Sequence, residues 1–153
     1  MELILWRHAD AEDGVIDLKR ELTDKGRKQA AKVARWLGPR LEGQWLILAS
    51  PAARATQTAD ALDLDYAVRL ALQPGAGEAA LLREAGWPGG ESNVVIVGHQ
   101  PTLGRVAARL LTGHALDLSV KKGALWWFSG RPGRGAGMGE TLLRAVIGPD
   151  LAG

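Results

Sequence analysis

The chain has 153 residues, 46% hydrophobic and 24% charged, a length and balance suited to a single domain over 1–153 and to neither disorder nor a fibrous repeat. It contains no cysteine, which excludes disulfides, thiolate metal sites and cysteine nucleophiles, and a reducing compartment, the cytoplasm, is expected. Nineteen basic residues against seventeen acidic ones leave a net charge of +2, and their dispersal along the chain argues against a nucleic-acid surface.

The opening MELILWRH is apolar over residues 3–6 and then meets Arg7 and His8, too early for a signal peptide. No later segment approaches membrane-spanning length, so no membrane association is expected. Residues 3–6, 46–49 and 94–97 are short apolar runs that hardly alternate, the pattern of central strands covered on both faces. Behind the first, Thr23 stands at the N-cap of a segment whose apolar residues Ala30, Val33, Ala34, Leu37 and Leu41 recur at helical spacing, with Gly38 and Pro39 weakening the last turn. Behind the second, Ser50 and Pro51 read as N-cap and first helical residue, with Ala55, Ala59 and Leu62 on one face. Residues 68–72 suggest a further strand and 76–85 a short helix. Behind the third run, Pro101 precedes a helix carrying Leu103, Val106, Ala107, Leu110 and Leu111. Residues 125–129 and 141–146 flank a loop with Gly130, Gly133, Gly135, Gly137 and Gly139, which predicts a C-terminal β-hairpin with a mobile tip. Strands that each feed toward a helix predict an α/β fold, a three-layer α/β/α sandwich around a mostly parallel central sheet.

In such a sheet, ligands collect beyond the carboxyl ends of the strands. There the first run ends in Arg7 and His8, the second leads to Ser50, Pro51 and Arg54, and the third ends in Gly98 and His99. Arg54, in the first turn of a helix, lies against the positive end of the macrodipole, a conflict that a nearby anion removes. With Arg7, His99 and helix N-termini, the edge is equipped to hold a dianionic phosphoryl group by charge-assisted hydrogen bonds. It lacks the acidic cluster of a magnesium site, and three histidines at these spacings make no zinc site, so neither metal nor cofactor is expected. A neutral imidazole, with a reference pKa of ~6.5, presents a usable lone pair, and on the residues alone either His8 or His99 can serve as nucleophile. The remaining candidates read as structure: His114 as surface, Lys121 and Lys122 as a solvated pair, and Trp36, Trp126 and Trp127 as core and edge packing.

Four blocks in order, RHA at residues 7–9, LTDKGRKQA at 22–30, SPAARATQTA at 50–59 and VGHQP at 97–101, resemble the histidine phosphatase superfamily and its phosphoglycerate-mutase-like fold. The short length and the stretch R-x-L-T-x-x-G beginning at Arg20 are most similar to the SixA-type phosphohistidine phosphatases. The resemblance implies that His8 is a nucleophile phosphorylated in passing, that Arg7 and Arg54 bind phosphate, that His99 is a second active-site histidine, and that Arg20 is a further substrate-binding residue. It also implies a backbone carbonyl that holds one ring nitrogen of His8 as a donor and so sets the tautomer.

The sequence departs from the family pattern in two places. Ala9 stands where glycine is common, which requires a negative φ there. Gln100, not an acid, follows His99, and no carboxylate has the position of the general acid that mutase-like members use; Asp10, Asp17 and Glu78 are candidates without positional support. A missing acid handicaps ester hydrolysis far more than hydrolysis of phosphohistidine, whose imidazole can leave after protonation by solvent. Residues 73–92 also leave little room for a covering insert, so the site should admit a protein side chain. The expected function is metal-independent hydrolysis of phosphohistidine on a phosphotransfer or signalling protein. Two alternatives remain. One is the same chemistry on a small phosphate ester or nucleotide, which calls for a carboxylate within reach of the leaving group. The other is a non-catalytic phosphate-binding module, which has no need of a nucleophile.

Overall fold

The computed structural model describes residues 1–134 and 139–153. Six strands form one sheet: β1 (Glu2–Arg7), β2 (Trp45–Ala49), β3 (Ala67–Val68), β4 (Asn93–Gly98), β5 (Leu125–Arg131) and β6 (Glu140–Ile147), in the order β3-β2-β4-β1-β5-β6. The pairs β1–β4, β2–β4 and β2–β3 are parallel, and β5 and β6 add an antiparallel hairpin to the edge of β1. The hairpin's expected glycine-rich tip, with Gly135 and Gly137, falls outside the described residues.

Alternate residues of each central strand face opposite layers. Leu3, Leu5, Leu48, Val94, Ile96 and Phe128 pack under α3 (Glu78–Ala85) and α4 (Thr102–Thr112), where Leu81, Leu103 and Val106 are buried. Ile4, Trp6, Ile47, Val95, Val97 and Trp127 face α1 (Asp24–Leu37) and α2 (Ala53–Asp60), against Val33, Leu37, Ala55 and Ala59. The sheet is therefore the middle of three layers, and each fully buried Leu or Ile stabilises it by about 1.5–3 kcal/mol.

Several local expectations changed on folding. Residues 68–72 do not form a strand: β3 ends at Val68 because β2 ends at Ala49, and past Arg69, whose N–H donates to Ala49 O at 2.9 Å, no partner remains. A 3-10 turn over Leu70–Leu72 follows instead and buries Leu72. The Ser50–Pro51 cap is likewise not realised. Helix α2 begins at Ala53 behind Ala52, whose methyl group cannot accept a capping hydrogen bond, and Ser50 is turned to another use described below. The helix expected from Ala76 begins at Glu78, and Gly38 and Pro39 continue α1 as a 3-10 turn.

The start of α1 explains two residues of the LTDKG block. Thr23 Oγ1 accepts from Gly26 N–H at 2.9 Å, an N-cap, and also reaches Asp10 Oδ2 at 2.8 Å. Gly26 lies so close to the chain beyond β1 that a Cβ on it would stand 2.0 Å from the Asp10 carbonyl oxygen. Gly26→Ala is expected to destabilise the protein by about 1–3 kcal/mol, as overpacking against backbone does, and urea unfolding followed by tryptophan fluorescence measures it.

Candidate active site

Strand register brings the site together. Arg7 pairs with Gly98 and Ala49 with Val97, so the carboxyl ends of β1, β4 and β2 stand level, and the next residues, His8, His99 and Ser50, emerge side by side. His8 N–H donates to Gly98 O at 3.2 Å and Ser50 N–H to Val97 O at 3.0 Å, which extends the sheet by one residue. The two imidazoles lie with ring centroids 5.1 Å apart, both almost fully buried.

His8 Nδ1 lies 2.8 Å from the Ala9 carbonyl oxygen, an acceptor, so Nδ1 carries the proton and Nε2 presents the lone pair. Ala9 has no positive φ; its N–H donates to Thr58 Oγ1 at 3.0 Å, and alanine is accommodated where the family pattern commonly has glycine. Burial pushes the His8 pKa down to about 4, helped by the charges of Arg54, Arg7 and Arg20 and opposed by the bond to Ala9. Burial likewise pushes His99 down to about 3, with His8, Arg54 and Arg7 adding to the shift and Asp17 opposing it. Both rings are neutral at pH 7.

A stability window follows from the sign of these shifts. The unfolded chain takes up protons near pH 6.5 and the folded protein only near 4 and 3, so the folded state binds fewer protons in between. The stabilisation is complete above about pH 6.5 and is lost as pH falls toward 4. Ring NMR titration is expected to show His8 holding its neutral Nδ1–H form at pH 6, with the urea midpoint falling below that pH.

Arg7 leaves β1 with Nη1 donating to Val120 O at 2.9 Å. Gly123, at φ +75°, makes the turn that lets its N–H donate to both Arg7 O and His8 O at 3.1 and 3.0 Å. Arg54, in the first turn of α2, is 5% exposed. Its Nη1 donates to Asp17 O at 2.9 Å and its Nη2 to Asp17 Oδ2 at 3.1 Å. Arg20 Nη1 takes the other oxygen of Asp17 at 3.1 Å. Thus Arg7, His8, Arg54 and His99 gather at one place, and Arg20 joins them at the rim through Asp17. Arg54 and Arg20 share the Asp17 carboxylate, and Arg7 adds a third cation beside the two neutral rings, an excess of positive charge suited to a dianion. Among the described residues, the buried side-chain nitrogens without a partner are Arg7 Nε and His99 Nδ1, both in this cluster.

Three contacts at this cluster have no clear signature in the sequence. Ser50 Oγ, far from capping α2, lies 2.7 Å from His99 Nε2. Thr58 Oγ1 donates to Arg54 O at 2.8 Å while accepting from Ala9, which ties α2 to the loop after β1; its spacing of four from Arg54 was the available signal. Asp17 had no positional support at all. Of the other candidate acids, Asp10 is bound by Lys122 Nζ at 3.0 Å and by Thr23, and Glu78 by Arg109 Nε at 2.8 Å. Lys122 is therefore paired rather than merely solvated. Among the described residues no group of three His, Cys, Asp or Glu is placed to hold a metal ion, and no helix is long and apolar enough to cross a membrane. A groove of about 540 Å³ between Trp36, Arg40, Trp127 and Arg144 contains none of these chemical groups and lies by the opposite end of β1.

Residues 3–87 match the model of the histidine phosphatase superfamily (branch 1). An uncharacterized protein of Picosynechococcus is 38% identical, over 77% of this chain and 79% of its own. A solved structure from Nakamurella multipartitia, bearing the name phosphohistidine phosphatase SixA, is 29% identical, covers 97% of this chain and 95% of its own, and superposes with a TM-score of 0.77. A mycobacterial glucosyl-3-phosphoglycerate phosphatase, solved with inorganic phosphate, shares the fold at 20% identity, 94% and 95% coverage and a TM-score of 0.69.

Proposed function

From the premise that the chain belongs to the histidine phosphatase superfamily, we propose that it is a metal-independent phosphohistidine phosphatase acting on a phosphotransfer or signalling protein in the cytoplasm, as one domain over 1–153. The observation that carries the chemistry is His8: a neutral imidazole with Nδ1–H held by Ala9 O and Nε2 free, among Arg7, Arg54 and Arg20. Its Nε2 attacks phosphorus in line, the bond from phosphorus to the substrate nitrogen breaks, and the leaving imidazole takes a proton from solvent. Water then attacks the phosphorus, the bond to Nε2 breaks, and inorganic phosphate leaves with His8 restored. Arg7, Arg54 and His99 stabilise the equatorial oxygens, which supply the partner that Arg7 Nε and His99 Nδ1 lack.

The substrate class is supported by the state of the carboxylates. Asp17 is held well below the usual carboxylate range by Arg20 and Arg54, and Asp10 by Lys122 and Thr23; Glu78 is paired to Arg109. Neither aspartate is a protonated acid at neutral pH that can donate to an alkoxide, Glu78 is engaged by its arginine, and phosphohistidine needs no such acid. The small-ester reading retains one supporting observation, the shared fold of the mycobacterial sugar-phosphate phosphatase.

The test is phosphate release in EDTA from a histidine-phosphorylated phosphotransfer domain, with a phosphoserine protein and an aryl phosphate alongside. Rapid release from the first alone is expected. Fast hydrolysis of the aryl phosphate with the phosphohistidine protein untouched would transfer the assignment to small esters.

A further inference from the structure

The loop that follows β1 is closed at its base. Ala11 and Leu22 form a bridge, Glu12 N–H donates to Glu21 O at 2.8 Å, and Arg20 Nε donates to Glu12 O at 2.7 Å. From this loop Asp17 reaches into the site and occupies both terminal nitrogens of Arg54, one with its carbonyl and one with its carboxylate. The Arg54 side chain is 6% exposed and Asp17 is more than half exposed, so the arginine is fixed and the carboxylate is the partner with room to move. Beside Asp17 stand Val15, Ile16 and Leu18, all three exposed to solvent.

Resting on the phosphatase reading above, we propose that Asp17 is a specificity-determining residue: its carboxylate competes with the phosphoryl group for Arg54, and so favours phosphoryl groups on a protein that packs over Val15, Ile16 and Leu18 against free phosphate and small phosphate esters. A small dianion arriving alone must displace a like charge already bonded to Arg54 Nη2 at 3.1 Å, and it has only its own bonds to the site to offset that. Partly exposed charges at such range are screened, which leaves a penalty on the order of tenfold in affinity. A protein substrate brings apolar surface that buries the three neighbouring side chains, and that burial offsets the displacement of Asp17.

Asp17→Asn keeps the shape and removes the charge. Calorimetric titration with inorganic phosphate, which needs no turnover, is expected to show binding about tenfold tighter than wild type. Equal or weaker binding overturns the proposal, because Asp17 then only orients Arg54. The triple variant Val15→Ser, Ile16→Ser, Leu18→Ser changes exposed side chains alone. It is expected to raise KM for the phosphohistidine protein about tenfold while phosphate affinity holds, and an unchanged KM overturns the proposal. Failure of the phosphatase reading looks different: wild type would release no phosphate from the phosphohistidine protein or from any ester, whatever its affinity for inorganic phosphate, and the proposal would fall with it.

Discussion

Replacing His8 by alanine is expected to lower phosphate release from a phosphohistidine protein by more than about 10,000-fold, because in the proposed mechanism the variant loses the atom that forms the covalent bond and not one contributor among several. The geometry leaves no substitute. His99, 5.1 Å away ring to ring, has Nε2 engaged with Ser50 Oγ, whereas His8 Nε2 has no such partner among the described residues. His8→Asn, which retains a polar side chain of similar reach, is expected to be equally inactive and guards against a variant that merely unfolds. Rapid acid-free quenching of the wild type with mass spectrometry should reveal one added phosphoryl group on His8, absent from both variants. Either variant retaining more than about 1% of wild-type turnover would remove His8 from the nucleophile's role.

Arg54→Ala is expected to lower kcat/KM by about 100 to 1,000-fold, the usual cost of losing one donor to developing negative charge. Arg54→Lys should recover only part, since an ammonium replaces the charge but not the planar fork that meets Asp17 with two nitrogens. The same arginine lowers the pKa of both rings, so its removal should raise those of His8 and His99. The sign follows from charge alone: without a neighbouring cation the imidazolium forms more readily. An NMR titration on Arg54→Ala therefore separates a direct electrostatic role from a loss of structure. Unaltered His8 titration together with unaltered kcat/KM would place Arg54 outside the site's chemistry.

Much of the architecture could be read locally. The three central strands announce themselves as short apolar runs, and in the structure they lie together as β1, β4 and β2 with both faces covered. Thr23 caps α1 as its position implies, because capping joins residues three apart. The hairpin of β5 and β6 is visible for a related reason, since its strands lie close in sequence and Trp126 and Trp127 alternate between the two core clusters. Ser50 shows where such reading stops. A serine before proline carries the same local signature whether it caps a helix or bonds a histidine, and here its partner is 49 residues away.

Asp17 makes the same point for the site. An aspartate in a loop of mixed charge has no periodicity to place it, yet it bridges Arg20, three residues on, and Arg54, 37 residues on. What the sequence by itself determined was the three central strands, the helices that follow them and the identity of the polar residues at the strand ends, Arg7, His8 and His99, because helix and strand periodicity and cap chemistry act over a few residues. Which of these groups touch, which carboxylate is held by which arginine, and which ring nitrogen of His8 is free were decided only by the tertiary structure. Those contacts depend on strand order and register, which bring together residues that no local pattern relates.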